Sequence, residues 1–106
     1  MISFAFRVNR SFREYATHPI TIPKSQVDYR QLERELAGGV EGDLRFPDGS
    51  SVPAFVYGGV AGYGPYFQIR SQRYSPWVAQ RTAVGDLIEV DLSSERGRLA
   101  IVARSR

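Results

Sequence analysis

SVPAFVYGGVAGYGPYFQIR, residues 51 to 70, sets a β-branched and aromatic run, a glycine-rich interval and a second aromatic run side by side. Two strands joined this directly, with no helical stretch between them, run antiparallel. The spacing predicts a strand over 51–57, a mobile loop over 58–64, where four of seven residues are glycine, and a returning strand over 65–70 with Phe67 and Ile69 turned one way. Upstream, DLRF (43–46) and the turn PDGS (47–50) supply an antiparallel neighbour through a reversal at Asp48 and Gly49.

The same two-residue period recurs outward in both directions. Ile2, Phe4, Phe6 and Val8 alternate in ISFAFRV, a half-buried strand over 2–8. ITIP, 20–23, is short and β-branched, and Pro19 suits the start of a strand because it cannot donate to a ladder. LIEVDL (87–92) and LAIVAR (99–104) flank the charged loop SSERGR as a closing hairpin. Two helices interrupt the strands. Ser25 followed by Asp28 resembles a capping box opening a helix through Leu32 and Leu36, stopped at Gly38 and Gly39. Ser75 before Pro76 caps a second, through about Thr82, with Trp77 in the core beneath it. The interval 9–19 has no period. The expected fold is mainly β with two short helices, a single domain closing as a small seven-stranded open β-barrel, and nothing alternates as βαβ units must.

Composition narrows the chemistry. A chain of 106 residues without cysteine has no disulfide and no thiolate nucleophile or ligand, and reads as a soluble cytoplasmic protein with no membrane partner. The only histidine, His18, lacks a second histidine or clustered carboxylate for a metal site. The only lysine, Lys24, precedes Pro47-Asp48, so the restriction-nuclease pattern of an acid pair followed by lysine is missing. No phosphate loop, catalytic triad or cofactor motif is present. The expectation is a non-enzyme with no cofactor.

Charge is unevenly placed. The net value is +3, yet residues 1–25 hold four cations against one acid, residues 51–85 hold three arginines and no acid, and residues 26–50 hold three arginines against six acids. Thirteen of fourteen cations are arginine, whose planar fork suits phosphate or a guanine edge. The tail arginines Arg96, Arg98, Arg104 and Arg106 read as a solvated edge.

ITIPK at 20–24, YSPWVAQRTAVGDLIEV at 74–90 and the order of elements between them resemble the DNA-binding pseudobarrel domains, such as the B-three-type domains of plant transcription factors and the effector domain of the EcoRII restriction endonuclease. The resemblance implies double-stranded DNA as partner, gripped in the major groove by two arms. The N-terminal arm maps onto Asn9 to His18, with Arg10, Ser11, Arg13, Tyr15 and His18 as contacts; the C-terminal arm maps onto Tyr57 to Gln68, with Tyr57, Tyr63, Tyr66 and Gln68. Arg70, Arg73 and Lys24 then serve as clamps on phosphate, and Asn9, Arg10, Arg13 and Gln68 as readers of base edges. The second arm departs from the family in carrying no arginine or lysine between Tyr57 and Ile69. Such a module serves a restriction or regulatory system, with any nuclease or other effector on a separate chain. Two other readings share the same residues: a protein or peptide surface built on exposed tyrosines, and single-stranded nucleic acid stacked on Tyr63, Tyr66 and Phe67.

Overall fold

The computed structural model describes residues 1–105; Arg106, read above as part of a solvated edge, lies outside them. Seven strands form one sheet: β1 (Ile2–Arg7), β2 (Ile20–Thr21), β3 (Glu41–Arg45), β4 (Ser51–Ala61), β5 (Gly64–Ser71), β6 (Leu87–Glu95) and β7 (Arg98–Ser105). Their order, β1-β6-β7-β3-β4-β5-β2, curls into a nearly closed barrel. All junctions are antiparallel except β3 with β7.

Alternation explains the core. Ile2, Phe4 and Phe6 of β1, Ile88, Val90 and Leu92 of β6, Leu99, Ile101 and Ala103 of β7, and Val52, Ala54 and Val56 of β4 all point inward and are buried. Successive side chains leave a strand on opposite faces, so their polar neighbours stay outside. At the parallel junction Gly42 faces Leu99. A side chain there would overlap the Leu99 backbone, so β3 and β7 can approach only across a glycine.

At the outer edge of β1 the segment after β2 contributes a side chain. Gln26 accepts from the Ala5 amide through Oε1 at 2.8 Å and donates through Nε2 to the Ala5 carbonyl at 3.2 Å. Its amide thus stands in for a strand residue and blunts the open edge.

There are three short helices rather than two: α1 (Arg10–Glu14), α2 (Tyr29–Leu36) and α3 (Pro76–Arg81). α1 holds five residues and buries only Phe12, too little for a helical period to register in the sequence. Its cap is Asn9, whose Oδ1 accepts from the Phe12 amide at 2.9 Å. α2 begins later than the Ser25 cap implies. Residues up to Gln26 and Val27 turn back to the Pro23 carbonyl, and Asp28 is the cap, accepting from the Arg30 amide at 2.9 Å. α3 starts as expected, with Ser75 Oγ accepting from Val78 and Trp77 stacked on Phe46 at 5.3 Å. No helix is long and apolar enough to cross a membrane among the described residues.

Two expected loops are strands instead. β4 and β5 stay paired through Gly58–Phe67, Gly59–Tyr66 and Val60–Pro65, leaving only Gly62 and Tyr63 at the turn. β6 and β7 likewise pair to Glu95–Arg98, with Arg96 (φ 52°) and Gly97 (φ 78°) as the turn. A ladder of main-chain hydrogen bonds needs no apolar side chains, so hairpins that run past the core leave no hydrophobic alternation to read.

Candidate nucleic-acid interface

The hairpin of β4 and β5 outruns its neighbours. The last bonds tying it to the sheet are Val56 N–H to the Val40 carbonyl and Ile22 N–H to the Phe67 carbonyl; beyond them the two strands pair with each other to the tip. Val60 and Tyr63 at that tip are 82% and 72% exposed. The glycine interval is therefore a projecting two-stranded ribbon, held together by its own ladder.

Register puts one set of side chains on the outer face of this ribbon. Val56 and Ile69 point inward, so Phe55, Tyr57 and Gly59 of β4 and Tyr66, Gln68 and Arg70 of β5 point outward, joined by Thr21 of β2 opposite Gln68. The guanidinium carbon of Arg70 lies 3.8 Å from the centre of the Tyr57 ring. Arg70 also donates to Gln68 Oε1 from Nε at 3.1 Å and Nη2 at 3.0 Å, and Gln68 Nε2 donates to Thr21 Oγ1 at 3.1 Å. Rings then continue toward the tip, Tyr57 to Tyr66 at 6.1 Å and Tyr66 to Tyr63 at 6.2 Å. Lys24 ends the row, its ammonium 5.9 Å from the Tyr63 ring centre and 5.7 Å from that of Tyr29. Gly59 makes the row possible, because a Cβ there would lie 2.7 Å from the Tyr66 ring and 2.8 Å from Tyr57.

Electrostatics separates this face from the rest of the barrel. No acid occurs between Asp48 and Asp86. The ion pairs among the described residues are Met1 with Glu35, Arg10 with Glu14, Arg98 with Asp43 and Arg104 with Asp91. None includes Lys24, Arg70 or Arg73, so these cations keep their charge for an outside partner. The cleft of about 430 Å³ between β3 and β7 differs in this respect, since Asp43 and Glu95 line it beside Arg98.

Six of the thirteen residues singled out from the sequence, Lys24, Tyr57, Tyr63, Tyr66, Gln68 and Arg70, come together here. Arg73 lies exposed just past the end of β5. The N-terminal segment is built differently. The Ser71 amide donates to the Thr17 carbonyl at 2.6 Å, so residues 9–18 adjoin the far end of β5, seven residues from Gly64, about 23 Å at roughly 3.3 Å per residue. α1 packs on α3, buries Phe12 in the core and does not project as an arm. Arg13 is half-buried, donates from Nη2 to the Ala79 carbonyl at 3.1 Å, and has a buried Nε with no partner. Asn9 is the helix cap, Ser11 is half-buried and Arg10 is paired with Glu14; Tyr15, 59% exposed, stays open to solvent.

His18 is removed from any interface. It is fully buried, its Nε2 accepts from the Ser75 amide at 2.8 Å, and its Nδ1, which must then carry the proton, donates to the Phe12 carbonyl at 2.6 Å. These two bonds hold α1 to the start of α3 and fix His18 at a left-handed φ of 42°. Burial lowers its pKa below 6.5, partly opposed by the Phe12 carbonyl. Below pH 6.5 the unfolded chain takes up a proton that the folded chain resists. Stability is therefore full above pH 6.5 and falls as the pH drops toward the folded pKa, by at most about 1.4 kcal/mol per unit. Thermal melts from pH 7.5 to 5 should show this slope and lose it in His18→Gln, whose amide does not titrate. Equal slopes in both would assign the effect elsewhere.

Two contributors to the face escaped the sequence reading. Thr21 was visible as the outward residue of ITIP, whereas Phe55 becomes recognisable only once the register across β4 and β5 is known. No family profile matches the chain, and no curated protein does.

Proposed function

We propose that this domain binds double-stranded DNA by laying the outer face of the β4–β5 ribbon along the major groove. Seven-stranded barrels serve many functions, so the reading rests on the face rather than on the fold. The observation that carries it is the ribbon itself: it projects past the sheet, bears no carboxylate, and is flanked by cations without carboxylate partners. A two-stranded ribbon fits a groove about 12 Å wide. Lys24 near the tip and Arg73 past the far end then contact phosphate, while Arg70 and the tyrosines face the groove floor. The two-armed grip implied by the resemblance reduces to one arm, since residues 9–18 are folded onto the barrel. Sequence preference, and service as the specificity unit of a restriction or regulatory system whose chemistry lies on another chain, belong to the same proposal.

A second reading, single-stranded nucleic acid, is favoured by the even spacing of Tyr57, Tyr66 and Tyr63, which offers successive stacking surfaces. Fluorescence anisotropy with a labelled 16-base-pair duplex at 50 to 200 mM salt decides between them. The two phosphate contacts of Lys24 and Arg73 give a slope of about −2 in log K against log salt. Unlabelled duplex should compete better than either of its strands. Better competition by a single strand would favour the stacking platform, and binding insensitive to salt would remove both.

A further inference from the structure

We propose that Arg70 reads guanine, and that Gln68 is the residue that positions it. This rests on the duplex-binding reading above and assigns roles opposite to those suggested by the sequence, where Gln68 matched a base edge and Arg70 a phosphate.

Arg70 is restrained on two sides. Its plane lies on Tyr57, and its Nε and Nη2 both donate to Gln68 Oε1, which is anchored in turn by Thr21. Gln68 has little left to offer a base. Its carbonyl oxygen already accepts twice, and its amide donates to Thr21. Arg70 does have something to offer. Nη1 makes no hydrogen bond to protein and is not among the buried atoms left without a partner, so it is open to solvent. The free edge presents two N–H groups, one from Nη1 and one from Nη2, side by side in a fixed direction. That pattern matches the O6 and N7 acceptors that guanine shows in the major groove.

A phosphate contact does not call for this restraint. Contacts to the sugar-phosphate backbone position a protein and tolerate a mobile cation, as Lys24 and Arg73 provide. A fork whose direction is already set before binding loses little freedom on contact and excludes bases whose acceptors lie elsewhere. Thymine and adenine each place a single acceptor in the major groove, and cytosine presents a donor, so guanine alone satisfies both N–H groups.

The test uses three 16-base-pair duplexes at one salt concentration: alternating A·T, alternating G·C, and the same G·C duplex with 7-deazaguanine throughout. Every step of the second presents a guanine edge whatever the register, and the third removes only the N7 acceptor. Wild type should bind the guanine duplex roughly tenfold or more tightly than the other two. Arg70→Lys keeps the charge but not the fork and should bind all three alike. Gln68→Ala keeps the arginine but frees it, and should lose the preference for the guanine duplex over the other two. Circular dichroism checks that both variants fold. Equal binding of guanine and 7-deazaguanine by wild type would overturn the proposal while leaving duplex binding intact. A preference retained in Gln68→Ala would overturn the positioning role. Failure to bind any of the three would overturn the inference together with the reading beneath it.

Discussion

Gly42→Ala is expected to destabilise the barrel by about 3 kcal/mol, the upper end of ordinary overpacking. Gly42 is paired on both sides, with Ala54 on β4 and Leu99 on β7. The added methyl would meet main-chain atoms of Leu99, including its carbonyl, which cannot rotate aside as a side chain can. Relief requires β3 and β7 to separate, and theirs is the only parallel junction among the described residues. For a domain of this size the loss corresponds to roughly 12 to 24 °C in Tm. Gly62→Ala is the matched control, because a Cβ there meets nothing within 4 Å and the backbone stays out of the left-handed region. Thermal denaturation should leave Gly62→Ala unchanged. A Gly42→Ala protein melting within a few degrees of wild type would mean that the junction can widen without cost.

Reversing the flanking cations, Lys24→Glu with Arg73→Glu, should abolish duplex binding while the domain remains folded. Neither side chain is buried and neither takes part in an ion pair, so their loss removes little packing. Each contact to phosphate is charge-assisted and contributes on the order of 1.5 to 3 kcal/mol, so two lost contacts weaken binding about a hundredfold or more before the added repulsion. Alanine at both positions isolates the attraction itself, and should flatten the salt slope by about 2. The comparison is Arg98→Glu, which removes an exposed charge already paired with Asp43 at the β6–β7 turn and should change binding little. A loss of the same size from Arg98→Glu would reduce the interaction to diffuse attraction by net charge.

The barrel was legible because burial imposes a two-residue period on its strands. Ile2, Phe4 and Phe6 or Ile88, Val90 and Leu92 announce their inward face without any knowledge of partners. α1 was not legible, since a helix of five residues with one buried side chain leaves no repeating signal. Gly58 and Gly59 read as loop because glycine is permissive; here each instead makes room for an aromatic ring, Phe67 or Tyr66. Charge counting found the acid-free interval correctly but could not see direction. Arg13 and His18, placed by the sequence beside Arg10 in one arm, turn inward because Ala79 and Ser75 offer them hydrogen-bond partners from α3 and its cap, 66 and 57 residues away along the chain. Arg70 and Gln68 alternate onto the same outward face, and only the pairing of β2 with β5 brings Thr21 beside them.

Nuclear magnetic resonance with 15N-labelled protein and a 16-base-pair G·C duplex tests the location of the interface most directly. Amide shifts should change in one contiguous group at Thr21, Lys24, Tyr57, Gly59, Tyr66, Gln68, Arg70 and Arg73, with residues 9–18 and the β6–β7 hairpin unmoved. Changes centred on α1 and α3, or spread evenly over the barrel, would contradict the assignment of the β4–β5 face as the surface that meets DNA.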